Sequence, residues 1–139
     1  MNIEVMSRSA ARRYAFKPHP EKVMVISITD PGSEPNGLRG NANNGIYKIV
    51  RAEFEDTDDP NTSISAEQAK MIAEQVSQNI DVADKIIVHC EAGQSRSAGT
   101  AAAILKFYTN DDTQIFDNPR YTPNMYVYRK MLEAFYDLQ

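Results

Sequence analysis

The sequence has a single cysteine, Cys90, and no tryptophan. One thiol cannot form an internal disulfide, so Cys90 is either inert core filler or a reactive group. Histidine is nearly as scarce. His19 and His89, even taken with Cys90, lack the spacing of a metal site, so no metal and no other cofactor is expected. No apolar run approaches the roughly 20 residues a membrane span needs. Met1 to Ala10, which carries Glu4 and Arg8, lacks the apolar core of a signal peptide. No membrane partner is therefore expected, and the cytoplasm is the expected location. A basic excess is missing too: the formal net charge is −4, which argues against wholesale binding to nucleic acid or anionic lipid. Repeats, low-complexity tracts and linkers are absent, and 139 residues suit one domain, 1–139, with one core.

What is present alternates between strand and helix signals. Ile3 to Met6 can open a sheet, and Ser7 to Ala15 reads as a short helix carrying Arg8, Arg12 and Arg13. With Lys17, these arginines share a helical spacing that suits a solvated face or a docking patch. Val23 to Ile28, rich in β-branched residues and bounded by Pro20 and Asp30-Pro31-Gly32, reads as a buried strand. Residues 30 to 45, rich in Gly, Pro and Asn, read as loop. Ile46 to Phe54 follows as a strand and Asp56 to Ser65 as an acidic loop.

Ser65 and Gln68 fit a capping box, ahead of a helix with Ala69, Ile72, Ala73, Val76 and Ile80 on one face. Lys85 to His89 reads as a strand and Ser95 to Tyr108 as a core helix. Thr122-Pro123 reads as the cap and first residue of a last helix. Its inner face holds Tyr128, Met131, Leu132, Phe135 and Leu138. The alternation predicts a single-domain α/β fold with a mostly parallel central sheet flanked by helices. Ligands of such sheets sit beyond the carboxyl ends of the strands.

One such end leads into Cys90-Glu91-Ala92-Gly93-Gln94-Ser95-Arg96, between a buried strand and a core helix. A loop of this length can curl so that the backbone N–H groups of Glu91, Ala92, Gly93, Gln94, Ser95 and Arg96 converge on an anion at a helix N-terminus. Gly93 permits the turn. Arg96 can grip two oxygens of a phosphate with its planar fork. The same field favours a thiolate at Cys90, which can attack phosphorus and form a phosphocysteine. Ser97 can stabilise the sulfur as it leaves. The leaving oxygen needs a proton, and the loop after Phe54 offers Glu55, Asp56, Asp58 and Asp59. Asp56 stays closest to the strand end and is the expected acid. Asp30, which also follows a strand, is the next candidate.

His89-Cys90-x5-Arg96-Ser97 resembles the signature loop of the cysteine-dependent protein tyrosine and dual-specificity phosphatases. The string HCEAGQSRS is similar to the dual-specificity branch and its small bacterial and viral relatives. Phe54-Glu55-Asp56, Val25 to Ile28 and Pro123 to Arg129 also resemble segments of that group. The resemblance implies a phosphatase-like fold with Cys90 as nucleophile, Arg96 as phosphate binder and Asp56 as general acid. It further implies that Ser97 assists breakdown of the intermediate and that His89 orients the loop. Relatives acting on inositol lipids or RNA ends tend to carry basic residues or histidine inside the loop. Glu91, Ala92 and Gln94 are similar instead to protein-directed members, so phosphorylated proteins or peptides are the implied partners.

Blander readings stand beside these. Cys90 can be a buried structural thiol, Arg96 a surface ion-pair partner, Ser97 an early helix residue, and the acidic run a solvated loop. His19, between two prolines, reads as a loop residue. Three functions remain open: a phosphatase acting on phosphotyrosine, with or without phosphoserine and phosphothreonine; a phosphate-binding module of the same fold with little turnover; and sulfur transfer from a loop cysteine.

Overall fold

In the computed structural model, which describes residues 1–33 and 37–139, strand and helix alternate as expected. The elements are β1 (Ile3–Ser7), α1 (Arg8–Ala15), β2 (Val23–Thr29), β3 (Ile46–Glu53), α2 (Ala66–Asn79), β4 (Lys85–Cys90), α3 (Arg96–Thr109), α4 (Thr113–Phe116) and α5 (Met125–Asp137). Part of the loop expected over 30–45, residues 34–36, lies outside the described residues. All four strands run parallel, in the order β1-β4-β2-β3. A parallel sheet brings every strand's carboxyl end to one edge. The segments after β1, β4, β2 and β3 therefore meet there.

Strand parity divides the core. Met24, Ile26, Ile28, Ile86, Val88 and Cys90 face the large cluster built with α2, α3 and α5, while Val23, Val25 and Ile87 face a smaller one with Leu38 and Ile46. The parity places Cys90 and His89 on opposite faces of β4. Helix α3 is buried from Arg96 through Leu105 because the sheet lies on one side and α5 and α4 on the other. The Ser65–Gln68 capping box forms as expected, with Ser65 Oγ accepting from the Gln68 N–H at 3.0 Å.

The last helix differs from expectation. It starts at Met125, capped by Asn124, whose side-chain oxygen accepts from the Val127 N–H at 3.1 Å. Thr122-Pro123 does not cap it, because Thr122 and Asn124 donate their N–H groups to the carbonyls of Gln94 and Ser95, at 2.9 and 3.0 Å. That strap holds the segment out of helical geometry. Leu138 falls beyond the helix end and is exposed rather than facing inward. The four-residue α4 is too short to leave a periodic signal.

Gly99 marks the tightest approach of α3 to this strap. A Cβ there would lie 2.6 Å from the Asn124 carbonyl oxygen. Gly→Ala inside a helix ordinarily stabilises by about 1 kcal/mol. Here overpacking should reverse the sign, and Gly99→Ala should destabilise by about 1–3 kcal/mol in urea unfolding. A stabilised variant would mean that Asn124 moves freely away from α3.

Candidate active site

The loop from Cys90 to Arg96 is shaped by what its carbonyls touch. The Glu91 carbonyl accepts from the Arg8 N–H at 3.1 Å, that of Gln94 from Thr122 N–H, and that of Ser95 from the Asn124 and Gly99 N–H groups. With those carbonyls turned outward, the intervening N–H groups turn inward. Among the described residues, the N–H groups of Ala92 to Arg96 have no protein acceptor. Gly93 sits at φ +69°, and a Cβ there would lie 2.5 Å from the backbone of Met6 and Ser7. Only glycine lets the loop pack this closely on the β1–α1 junction. A second tie is the ion pair between Arg8 Nη1 and Glu91 Oε1, at 2.9 Å.

Cys90 is buried at the loop's base, with Sγ 3.0 Å from Ser97 Oγ. A thiolate accepts that hydrogen bond, so Ser97 is placed to donate to the sulfur. His89 is fully buried and lies beside Ser27 in the β2–β4 register. Its Nδ1 is 3.2 Å from the Cys90 carbonyl, which fixes the proton on Nδ1. Nε2 then accepts from the Ser27 hydroxyl at 2.7 Å. Burial is the main cause that lowers the His89 pKa. The Cys90 carbonyl opposes that shift, Arg8 and Arg51 add to it, and Glu91 opposes it. Both ring nitrogens are thus engaged inside the protein, and burial favours the neutral imidazole.

Arg96 is almost fully buried, and its Nη1 donates to the Phe54 carbonyl at 2.7 Å and pairs with Asp30 Oδ1 at 2.8 Å. Its Nε is buried without a partner among the described residues. One edge of the guanidinium is thus anchored to the loops after β2 and β3, and Nε is left for an incoming acceptor.

Of the four acidic candidates after Phe54, the structure brings Asp56 to the loop. Its Oδ1 accepts from Ser95 Oγ and from Asn124 Nδ2, both at 2.8 Å. Asn124 Nδ2 also donates to the Thr57 carbonyl at 3.1 Å. Asp59 instead accepts from the Asn61 N–H within its own turn, and Asp58 and Glu55 are exposed. Asp30 stands against Arg96. Sequence reasoning missed the roles of Asn124, the Ser95 hydroxyl, Ser27 and Asp30 as a partner of Arg96. Asn124 lies 68 residues from Asp56, beyond any local signal.

No protein-family model and no curated protein sequence matches the chain. Solved structures do. Human DUSP28 is 16% identical, with 99% of this chain and 93% of that one covered and a TM-score of 0.63. The PTP-2 phosphatase of Cydia pomonella is also 16% identical, covering 96% and 85%, with a TM-score of 0.63. A human tyrosine phosphatase-like serine/threonine/tyrosine-interacting protein is 20% identical, covering 84% and 76%, with a TM-score of 0.57. The chain has the fold of the cysteine-dependent protein tyrosine and dual-specificity phosphatases. Within that fold the loop from Cys90 to Arg96 joins the carboxyl end of β4 to the start of α3.

Two outcomes follow from these contacts. The His89 pKa is lowered on folding, so the unfolded chain binds the extra proton first as pH falls. Stability should therefore be complete above about pH 6.5 and decline below it. His89→Gln should flatten that decline in thermal melts between pH 7.5 and 5; an unchanged slope would place the titrating group elsewhere. Asp30→Asn should loosen the Arg96 anchor and weaken binding of inorganic vanadate about two- to fivefold, the range of an ion pair with one exposed partner. Unaltered vanadate affinity would leave the Phe54 carbonyl as a sufficient anchor.

Proposed function

We propose that this chain is a protein phosphatase that hydrolyses phosphotyrosine, with phosphoserine and phosphothreonine as the alternative side chains, through a phosphocysteine intermediate. The observation that carries the reading is the convergence of four groups on one loop. Cys90 Sγ is hydrogen-bonded to Ser97, Arg96 Nε is buried without a partner, and Asp56 is held against Ser95. A phosphoryl dianion fits the loop because inward N–H groups and the free guanidinium edge supply donors on every side.

In the first step the Cys90 thiolate forms a bond to phosphorus and the bond from phosphorus to the tyrosyl oxygen breaks. Asp56, protonated, gives its proton to that oxygen. In the second step Asp56, now a carboxylate, takes a proton from water as the water oxygen attacks phosphorus. The phosphorus–sulfur bond breaks, inorganic phosphate forms, and Ser97 donates to the departing thiolate. Backbone amides from Glu91 to Arg96 and the Arg96 fork hold the equatorial oxygens throughout, and His89 keeps the loop oriented. No step draws on a metal. A reducing cytoplasm would keep the lone thiol competent. Phosphorylated proteins or peptides are the partners, and the chain's net charge of −4 disfavours nucleic acid.

A phosphate-binding module with little turnover is the second reading, favoured by the likeness to the interacting protein named above. Turnover separates the two. Hydrolysis of an aryl phosphate should proceed without added metal and be abolished in Cys90→Ser, with the fold retained by circular dichroism. Asp56→Asn should cost about 10²–10⁴-fold on phosphotyrosine and far less on an activated aryl ester, whose leaving group needs no proton. Full activity in Cys90→Ser would overturn the phosphatase reading, and a wild-type chain that binds vanadate without turnover would establish the binding module.

A further inference from the structure

Two concavities of opposite charge flank the Cys90 loop. On the β3 side, a cavity of about 800 Å³ is lined by Asp30, Glu53, Glu55, Asp56 and Ser63, among others. On the β1 side, one of about 530 Å³ is lined by Arg13, Lys17, His19 and Arg120, against the outer wall of the loop at Ala92 to Gln94. The sheet order puts β4, which carries Cys90, between β1 on one side and β2 and β3 on the other. The two cavities therefore lie on opposite sides of the nucleophile.

Their charges are not cancelled locally. In the basic cavity the one carboxylate, Glu4, is taken by Lys85 at 2.6 Å. Arg13, Lys17 and Arg120 are in no ion pair among the described residues. His19 is fixed in the wall by stacking on Tyr14 at 3.6 Å and by Nε2 donating to the Tyr14 carbonyl at 2.9 Å. In the acidic cavity Asp30 and Asp56 are committed to Arg96, Ser95 and Asn124. Glu53 accepts only a long 3.3 Å bond from the Gly32 N–H, and Glu55 is exposed. Ser63, in the same wall, is 6% exposed and its hydroxyl has no partner among the described residues. Glu53 and Glu55, in no ion pair among the described residues, suit a cationic donor such as a lysine ammonium or a guanidinium.

We infer that the substrate is a phosphopeptide of mixed charge, with an acidic side chain on one side of the phosphorylated residue and a lysine or arginine on the other. The inference rests on the proposed phosphatase function and deepens it. From β1 to β3 is three inter-strand steps, about 14 Å. An extended peptide covers that in about four residues, and because β4 is one step from β1 and two from β3, the acidic side chain lies about one or two residues from the phosphorylated residue and the basic one about three on the other side. An all-anionic ligand such as an inositol polyphosphate fills the basic cavity and is repelled from the acidic one.

The test uses four phosphotyrosine peptides of one core sequence. Two carry Glu about two residues to one side and Lys about three to the other, in either chain direction; one carries Glu on both sides and one Lys on both. One mixed peptide should lead both uniform ones about three- to tenfold in kcat/KM, the range of one or two exposed ion pairs. The lead should shrink as ionic strength rises. Arg13→Glu with Lys17→Glu should erase the advantage of the acidic flank, and Glu55→Lys that of the basic flank, while aryl phosphate turnover stays unchanged in both. Binding of the same peptides to Cys90→Ser reads the preference without turnover, so a chain that fails to turn over can still pass. A uniform peptide in the lead, equal rates for all four, or an inositol polyphosphate preferred over every peptide would overturn the inference.

Discussion

The outward turn of three carbonyls, those of Glu91, Gln94 and Ser95, is the constraint on which the rest of the site depends. A loop of this kind has an unfavourable native geometry when empty. It turns like dipoles toward one point and leaves N–H groups without protein acceptors there, so like partial charges face one another. The fold offsets this by giving each outward carbonyl a donor from a different element: Arg8 at the start of α1, Thr122 ahead of α5, and Asn124 with Gly99. Gly93 then lets the whole loop rest on the β1–α1 backbone. The loop is thus held from outside, by segments that approach only its outer wall.

The same strap holds Asp56. Asn124 binds the Ser95 carbonyl with its N–H, caps α5 with its side-chain oxygen and holds Asp56 with its side-chain nitrogen. One residue therefore couples the helix start, the loop and the carboxylate. Its backbone bond fixes the residue and its side-chain bonds share one planar amide, so each supports the geometry the others need.

This arrangement explains what the sequence disclosed and what it hid. The Ser65–Gln68 box, the strand at Val23 and the Cys90–Arg96 spacing are local, so residue order is enough to find them. Asp56 was singled out because the strand end tethers it, a nearest-neighbour argument, and the structure sets its carboxylate against Ser95 at the end of the loop. Thr122-Pro123 carries a stronger local capping signal than Asn124. It is overruled by hydrogen bonds to residues about 28 positions earlier in the chain, and periodicity is blind to those. Asp30 looked like a spare acid for the same reason, since nothing near it in sequence announces Arg96. The all-parallel order of the sheet, which sets the basic and acidic cavities apart, also exists only in three dimensions.

Arg96 shows how the two halves of the site are reconciled. A buried guanidinium with no partners would be far too costly to keep. Full satisfaction by the protein would leave it nothing to offer an anion. The structure divides it: Nη1 is held by the Phe54 carbonyl and Asp30, and Nε is left open. Asp30 is more than half exposed, so its charge is partly screened by water and it stabilises Arg96 without neutralising the field in the loop. The guanidinium is thus already oriented and already desolvated. On the proposed reading the ordering cost is borne on folding rather than on binding of a phosphoryl group, which is what preorganisation means for such a loop.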